Sequence, residues 1–159
     1  MLLTSLPSET FEDAWQTIED YEHRWLAEEY HKVIKSGCSI EKHALRSADR
    51  LEPLIALTTV IGTRLFQLKL IGRKQKDVLA RKFVPAKWLK ALKLAEPQLK
   101  TAQLTVYQFF RELAKLGGFL ARKGDGEPGW ETTWHGYKKL HSHLDTMARL
   151  ACFECTKLG

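Results

Sequence analysis

Five residues on one short stretch, YEHRWLAEEYHKVIK, have the types and spacing to do chemistry together: Tyr21, Arg24, Glu28, Lys32 and Lys35. Successive members lie 3, 4, 4 and 3 residues apart, so on a helix of 3.6 residues per turn all five project from one side. Trp15, Leu26, Tyr30 and Val33 fall on roughly the opposite side, giving that helix an apolar face to bury and leaving the polar stripe turned to a cleft or a ligand. A carboxylate ringed by cations has two readings. Glu28 can pair with Arg24 and Lys32 as surface ion pairs, each worth about 0.3–0.5 kcal/mol, or it can face a charged ligand that the cations also hold.

Taken whole, the pattern is Y-x2-R-x3-E-x6-K, and it resembles the signature of the cut-and-paste bacterial transposases of the insertion-sequence-four family. The flanks sharpen the likeness: HRW at 23–25, the E-E-aromatic-H-K run at 28–32 and Lys-Ser-Gly at 35–37 resemble the transposon-five branch. A second likeness lies at the other end of the chain. LGGF at 116–119 (Leu116, Gly117, Gly118, Phe119) and the spacing of Trp130, Trp134, Gly136, Tyr137 and Leu140 resemble the C-terminal dimerisation region of the same enzymes.

The resemblance implies phosphoryl transfer on DNA by two divalent metal ions, Mg²⁺ or Mn²⁺, held by two aspartates and one glutamate. Glu28 would be the third carboxylate. Arg24, Lys32 and Lys35 would neutralise and position DNA phosphates, arginine by forking two oxygens and lysine as a point charge. Tyr21 would hydrogen-bond a backbone phosphate, or serve as a core residue with a wet tip. The two aspartates belong to strands of an RNase H-like sheet, and Asp13 and Asp20 cannot replace them because they sit upstream on the helix that carries Glu28. One carboxylate cannot hold two metals, so the chain alone is expected to be inactive in cleavage and to bind no metal by itself. By the same resemblance, the tryptophan that precedes the L-L-T-S-x-P stretch in this branch, implicated in holding a flipped base, is expected to fall outside these 159 residues.

The partners implied are DNA at transposon ends, a second copy through the C-terminal helices, and possible pairing with full-length transposase; no membrane partner is expected. Two alternatives stand beside the enzymatic reading: a non-enzymatic fragment that binds DNA and modulates full-length transposase, and a remnant of a decayed element.

Composition agrees with a globular protein: 159 residues, 44% hydrophobic and 28% charged. The opening residues carry no basic n-region and no apolar run reaches the length of a membrane span, so the chain is read as cytoplasmic. The net charge of +6 is uneven, at −5 over residues 1–63, +9 over 64–100 and +2 over 101–159. The middle block reads either as a solvated helical surface or as an electrostatic footprint for nucleic acid. Cys152-x2-Cys155 with His141 and His143 lacks the second well-spaced pair of a structural zinc site, and no phosphate-binding glycine loop occurs. Cys38, Cys152 and Cys155, an odd number, make no disulfide framework.

The elements that position the stripe follow from periodicity. A short strand left from an RNase H-like domain ends near Pro7, with an N-cap at Ser8 or Thr10. An unbroken helix then runs to Lys35, with Gly37 as its C′ residue. A second helix opens at Asp49, Glu52 and Pro53 and repeats Leu54, Leu57, Thr58, Ile61, Leu65 and Leu68, with Arg64 either functional or an ion-pair partner. Pro85 opens a third helix, which ends at Pro97. A fourth spans about 101–122, weakened at Gly117-Gly118 or letting something approach closely there. The last runs from Trp130 to near Cys155. The expected fold is mainly α, a helical bundle-like region. Residues 1–72 are assigned to the end of the catalytic domain and 73–159 to the dimerisation region.

Overall fold

The computed structural model describes residues 4–40, 45 and 47–157, with side chains as far as Cys152. Of the strand end expected before Pro7, residues 1–3 lie outside the described residues, as does the Cys155 side chain. Among the described residues five α-helices make up the fold: α1 (Phe11–Lys32), α2 (Ala48–Lys74), α3 (Ala86–Ala95), α4 (Val106–Leu116) and α5 (Trp130–Lys157). Among the described residues there is no sheet; one antiparallel bridge joins Leu79 to Thr105.

One hydrophobic core runs through the chain from Val33 to Leu140. Its centre is α4, whose Phe109, Phe110 and Leu113 are buried between α2, α3 and α5. Thr105 starts α4 with a capping box, its hydroxyl accepting from Gln108 N while the Gln108 side chain accepts from Thr105 N. The single long helix expected over 101–122 is therefore three pieces. A 3₁₀ turn spans Thr101–Gln103, the cap follows, and α4 stops at Gly117, with Gly118 at φ +102.

The halt is also where α5 crosses. A Cβ on Gly117 would fall 2.6 Å from the Gly136 backbone nitrogen and closer still to the Thr132 oxygen. A Cβ on Gly136 would fall 2.8 Å from the Leu113 carbonyl carbon and closer still to its oxygen. Two glycines facing each other let the backbones of α4 and α5 touch.

α3 is amphipathic in the plain sense: Trp88, Ala91 and Leu92 are buried while Lys87, Lys90 and Lys93 face water. Much of the basic block is thus displayed on one helix surface. By length and composition α2 could cross a bilayer, but its second half, with Leu65, Phe66, Leu68 and Lys69 buried, packs on α4 as a core helix. α2 opens at Ala48, with Pro53 just inside it as the sequence suggests. Two details differ from expectation: Leu57 is 65% exposed, and Arg64 Nη2 donates to the Phe83 carbonyl, a structural tie between α2 and the following turn.

Candidate functional site

α1 begins where its sequence says it should. Thr10 Oγ1 accepts from Asp13 N at 3.1 Å and Asp13 Oδ2 accepts from Thr10 N at 3.0 Å. The Thr10 side-chain and backbone hydrogen bonds hold the Asp13 carboxyl below its ordinary pKa. Asp20 accepts from Gln16 Nε2 at 3.2 Å. Both aspartates are engaged along α1, and among the described residues no three His, Cys, Asp or Glu side chains gather as a metal site. Among the described residues, therefore, the side chains do not form a two-metal carboxylate set.

The C-terminal end of α1 does not close as expected. The helix passes into a π-turn, Val33–Gly37, with Cys38 N donating to Val33 O at 2.8 Å. The wider turn carries Val33, Gly37 and Cys38 all inward, where an α-helix would bury fewer of them. Gly37 serves close packing rather than a left-handed cap: a Cβ there would stand 3.2 Å from Trp130 Cβ. The left-handed residue is Ser39, at φ 53.

This geometry sets the stripe. Tyr21, Arg24, Glu28 and Lys32 lie exposed on α1, and Lys35, also exposed, sits in the π-turn, rotated from the position an unbroken α-helix would give it. Arg24 Nε donates to Glu28 Oε1 at 3.0 Å, with side chains 64% and 54% exposed, and the guanidinium lies 5.7 Å from the Tyr21 ring centroid. Lys32 turns from Glu28 to Glu29, its Nζ 3.7 Å from Oε2. Tyr21, Glu22, Arg24, Trp25 and Glu28 line a shallow depression of about 310 Å³ that is open to solvent.

The apolar side of α1 is only partly covered. Leu26, Tyr30 and Val33 meet the core, but Trp15 is 54% exposed, against expectation, and Phe11 and Ile18 share its exposure. The first half of α1 runs clear of the other helices, so nothing in the described chain covers that face. Contiguous exposed apolar surface of this kind marks a contact surface for another protein region.

Sequence reasoning missed Glu29. Its carboxylate points inward, 13% exposed, and Oε1 accepts from Trp130 Nε1 at 2.9 Å and from Lys69 Nζ at 3.3 Å. Lys69, 6% exposed, also lies 4.0 Å over the Trp130 ring. Burial works against the Glu29 charge, but the Trp130 hydrogen bond, the charge and hydrogen bond of Lys69, and the charge of Lys32 outweigh it and leave its pKa below the usual glutamate value. Burial, with the Arg73 charge, pulls Lys69 below the usual lysine value despite Glu29. The available signal was position: Glu29 lies on the side of α1 that carries Leu26 and Val33, three and four residues away.

The residues tied to dimerisation by resemblance are largely internal to this chain. Trp130 and Tyr137 are buried, Leu116 and Trp134 pack against the core, and Gly117 makes the helix crossing. Phe119 lies under the Arg111 guanidinium, 5.1 Å from its ring centroid. They build the shape of the C-terminal unit. Tyr137 stacks on Trp134 at 5.6 Å and meets Trp88 edge-on at 5.4 Å. His141 lies 4.3 Å from Tyr137, where burial lowers its pKa. Cys38 is buried and its thiol is pushed up to about 11 by desolvation, which makes it unreactive.

Residues 60–155, more than half of the chain, match the family described as the transposase Tn5 dimerisation domain. The match opens inside α2 and closes near the end of α5, so it covers the whole helical core except the α1 end of it.

Proposed function

Since the chain belongs to the Tn5 transposase dimerisation-domain family, we propose that it acts as the C-terminal, self-associating part of a cut-and-paste DNA transposase of the insertion-sequence-four type. In this reading α1 lies at the DNA strand being cut. Glu28 supplies one carboxylate to divalent-metal phosphoryl transfer, and aspartates from outside these 159 residues supply the others. Arg24, Lys32 and Lys35 hold backbone phosphates, and Tyr21 donates to one.

The observation that carries this reading is the exposed Arg24, Glu28 and Lys32 ridge on a helix joined directly to the dimerisation core. The bare apolar side of the same helix supports it, because a helix with one side at DNA and the other on a sheet needs both faces free of the C-terminal core. Among the described residues the carboxylates do not converge. That favours, as a second reading, a non-enzymatic fragment that binds DNA and pairs with full-length transposase.

Binding to a short DNA duplex, followed by fluorescence anisotropy over a salt series, tests the ridge. The Lys32→Ala/Lys35→Ala chain is expected to bind more weakly at low salt, with the slope of log K against log salt reduced by about 2. An unchanged slope would remove the phosphate role. Light scattering tests self-association: a dimer mass is expected at tens of micromolar, whereas a strict monomer at the highest attainable concentration would count against the paired C-terminal unit. Mg²⁺-dependent nicking by the purified chain, lost in Glu28→Ala, would overturn the requirement for outside aspartates.

A further inference from the structure

Glu28 and Glu29 are neighbours with opposite environments. A step of one residue on a helix turns the side chain by about 100°, so when Glu29 is anchored inward, Glu28 has one direction left. The anchor joins three elements at one carboxylate: Glu29 from α1, Lys69 from α2 and Trp130 from the first turn of α5. Beyond this point α1 has few neighbours, and its N-terminal half is exposed apart from the half-buried Thr17. The van der Waals contacts of Leu26, Tyr30 and Val33 are non-directional, and apolar contacts alone let a helix roll and tilt. Two charge-assisted hydrogen bonds to one oxygen do not.

We propose that Glu29, Lys69 and Trp130 are positioning residues: together they form a clasp that sets the roll and tilt of α1 on the dimerisation core and thereby aims Glu28, Arg24 and Lys32. The proposal rests on the reading of that ridge as the DNA-facing surface. The geometry assigns each member a distinct part. Glu29 is the common acceptor. Trp130 gives the direction, because an indole N–H has one axis, and its ring also packs against Phe66 and Phe110, both at 6.0 Å. Lys69 supplies the charge, held over the indole face where the ring's negative quadrupole favours it. Gly37 completes the fit, since its missing side chain lets the π-turn lie against Trp130.

A transposase built this way has its cutting helix registered to its dimerising half by a polar lock in an otherwise apolar contact. Such locks specify one arrangement among several that packing alone would allow. An effect on the dimerising half that moved Trp130 would therefore change the aim of Glu28.

The test is a distance measurement between α1 and α5 by pulsed electron resonance. Spin labels at Glu22→Cys and Lys138→Cys, both exposed positions, are placed in a chain whose native cysteines are replaced. A narrow distance distribution is expected for the parent, and a distribution broadened about twofold or displaced for Glu29→Ala. Glu29→Gln, whose amide oxygen still accepts, is expected to return most of the narrow peak.

The decisive variant is Glu29→Leu/Lys69→Met, which removes both charges together and so regains folding stability. It is expected to stay broad, a result that a merely stabilising role would not give. A native distribution in this double variant overturns the proposal, as does an unchanged one in Glu29→Ala. If Glu29→Ala lost its helical circular dichroism, Trp130→Phe would decide: it keeps an aromatic ring beside Phe66 and Phe110 and deletes the N–H, and a native peak there overturns the clasp. The reading of the ridge fails separately. A narrow parent peak together with unchanged DNA binding in Lys32→Ala/Lys35→Ala keeps the clasp and removes the DNA-facing role.

Discussion

Gly136→Ala is expected to cost about 3 kcal/mol or more of folding stability, at or beyond the upper end of overpacking effects. The new methyl would fall 2.8 Å from the Leu113 carbonyl carbon and closer to its oxygen, so backbone meets backbone and no side-chain rotation relieves it. α4 and α5 would have to part along a contact that includes Leu113, Tyr137 and Leu140, all buried. Gly117→Ala meets the same crossing from the other side and should cost a similar amount. Gly129→Ala is the control, because a Cβ there meets nothing within 4 Å, and it should stay within about 0.5 kcal/mol of the parent. Urea unfolding followed by circular dichroism separates these cases. A Gly136→Ala chain with an unchanged midpoint would show that the two helices do not touch at this point.

The second large effect is electrostatic. Glu29→Ala leaves the Lys69 ammonium, 6% exposed, without the carboxylate that accepts from it, and should cost about 3–5 kcal/mol, as breaking a buried pair from one side does. The loss arises from the stranded charge more than from the missing attraction. Lys69→Met in the same chain should therefore recover most of it, and the two changes should be far from additive. Additive losses would mean that the pair is not coupled. The Arg24 and Glu28 pair offers the contrast, since both side chains are more than half exposed and its removal should change stability by less than about 1 kcal/mol. One glutamate of the adjacent pair is thus expected to matter for folding, and the other, on the reading proposed above, for chemistry.

Much of this protein was determined by sequence alone, and the reason is local. The stripe of Tyr21, Arg24, Glu28 and Lys32 depends on helix periodicity, which each residue's neighbours enforce, and so does the amphipathic pattern of α3 around Trp88. The likeness between residues 116–150 and a dimerisation region was likewise written in aromatic and glycine spacing, and it agrees with the family match over residues 60–155.

Tertiary structure decided what depends on residues far apart in the chain. The break of α1 into a π-turn arises because Val33, Gly37 and Cys38 must all reach the core, with Gly37 against Trp130, 93 positions later in the sequence. Periodicity gave Trp15 an inward place, yet whether an apolar face is covered depends on which partner is there, and none of the described helices reaches it. Gly117 read as a weak point in one helix or a place of close approach, and Gly136 as a motif residue in another; only their meeting shows what approaches, and that each is small for the other. In the sequence Glu29 stands out only as part of the E-E-aromatic-H-K run at 28–32. Its hydrogen bond to Trp130 joins residues 101 positions apart, and no local rule connects them, because a buried charge finds its partner wherever the fold brings one.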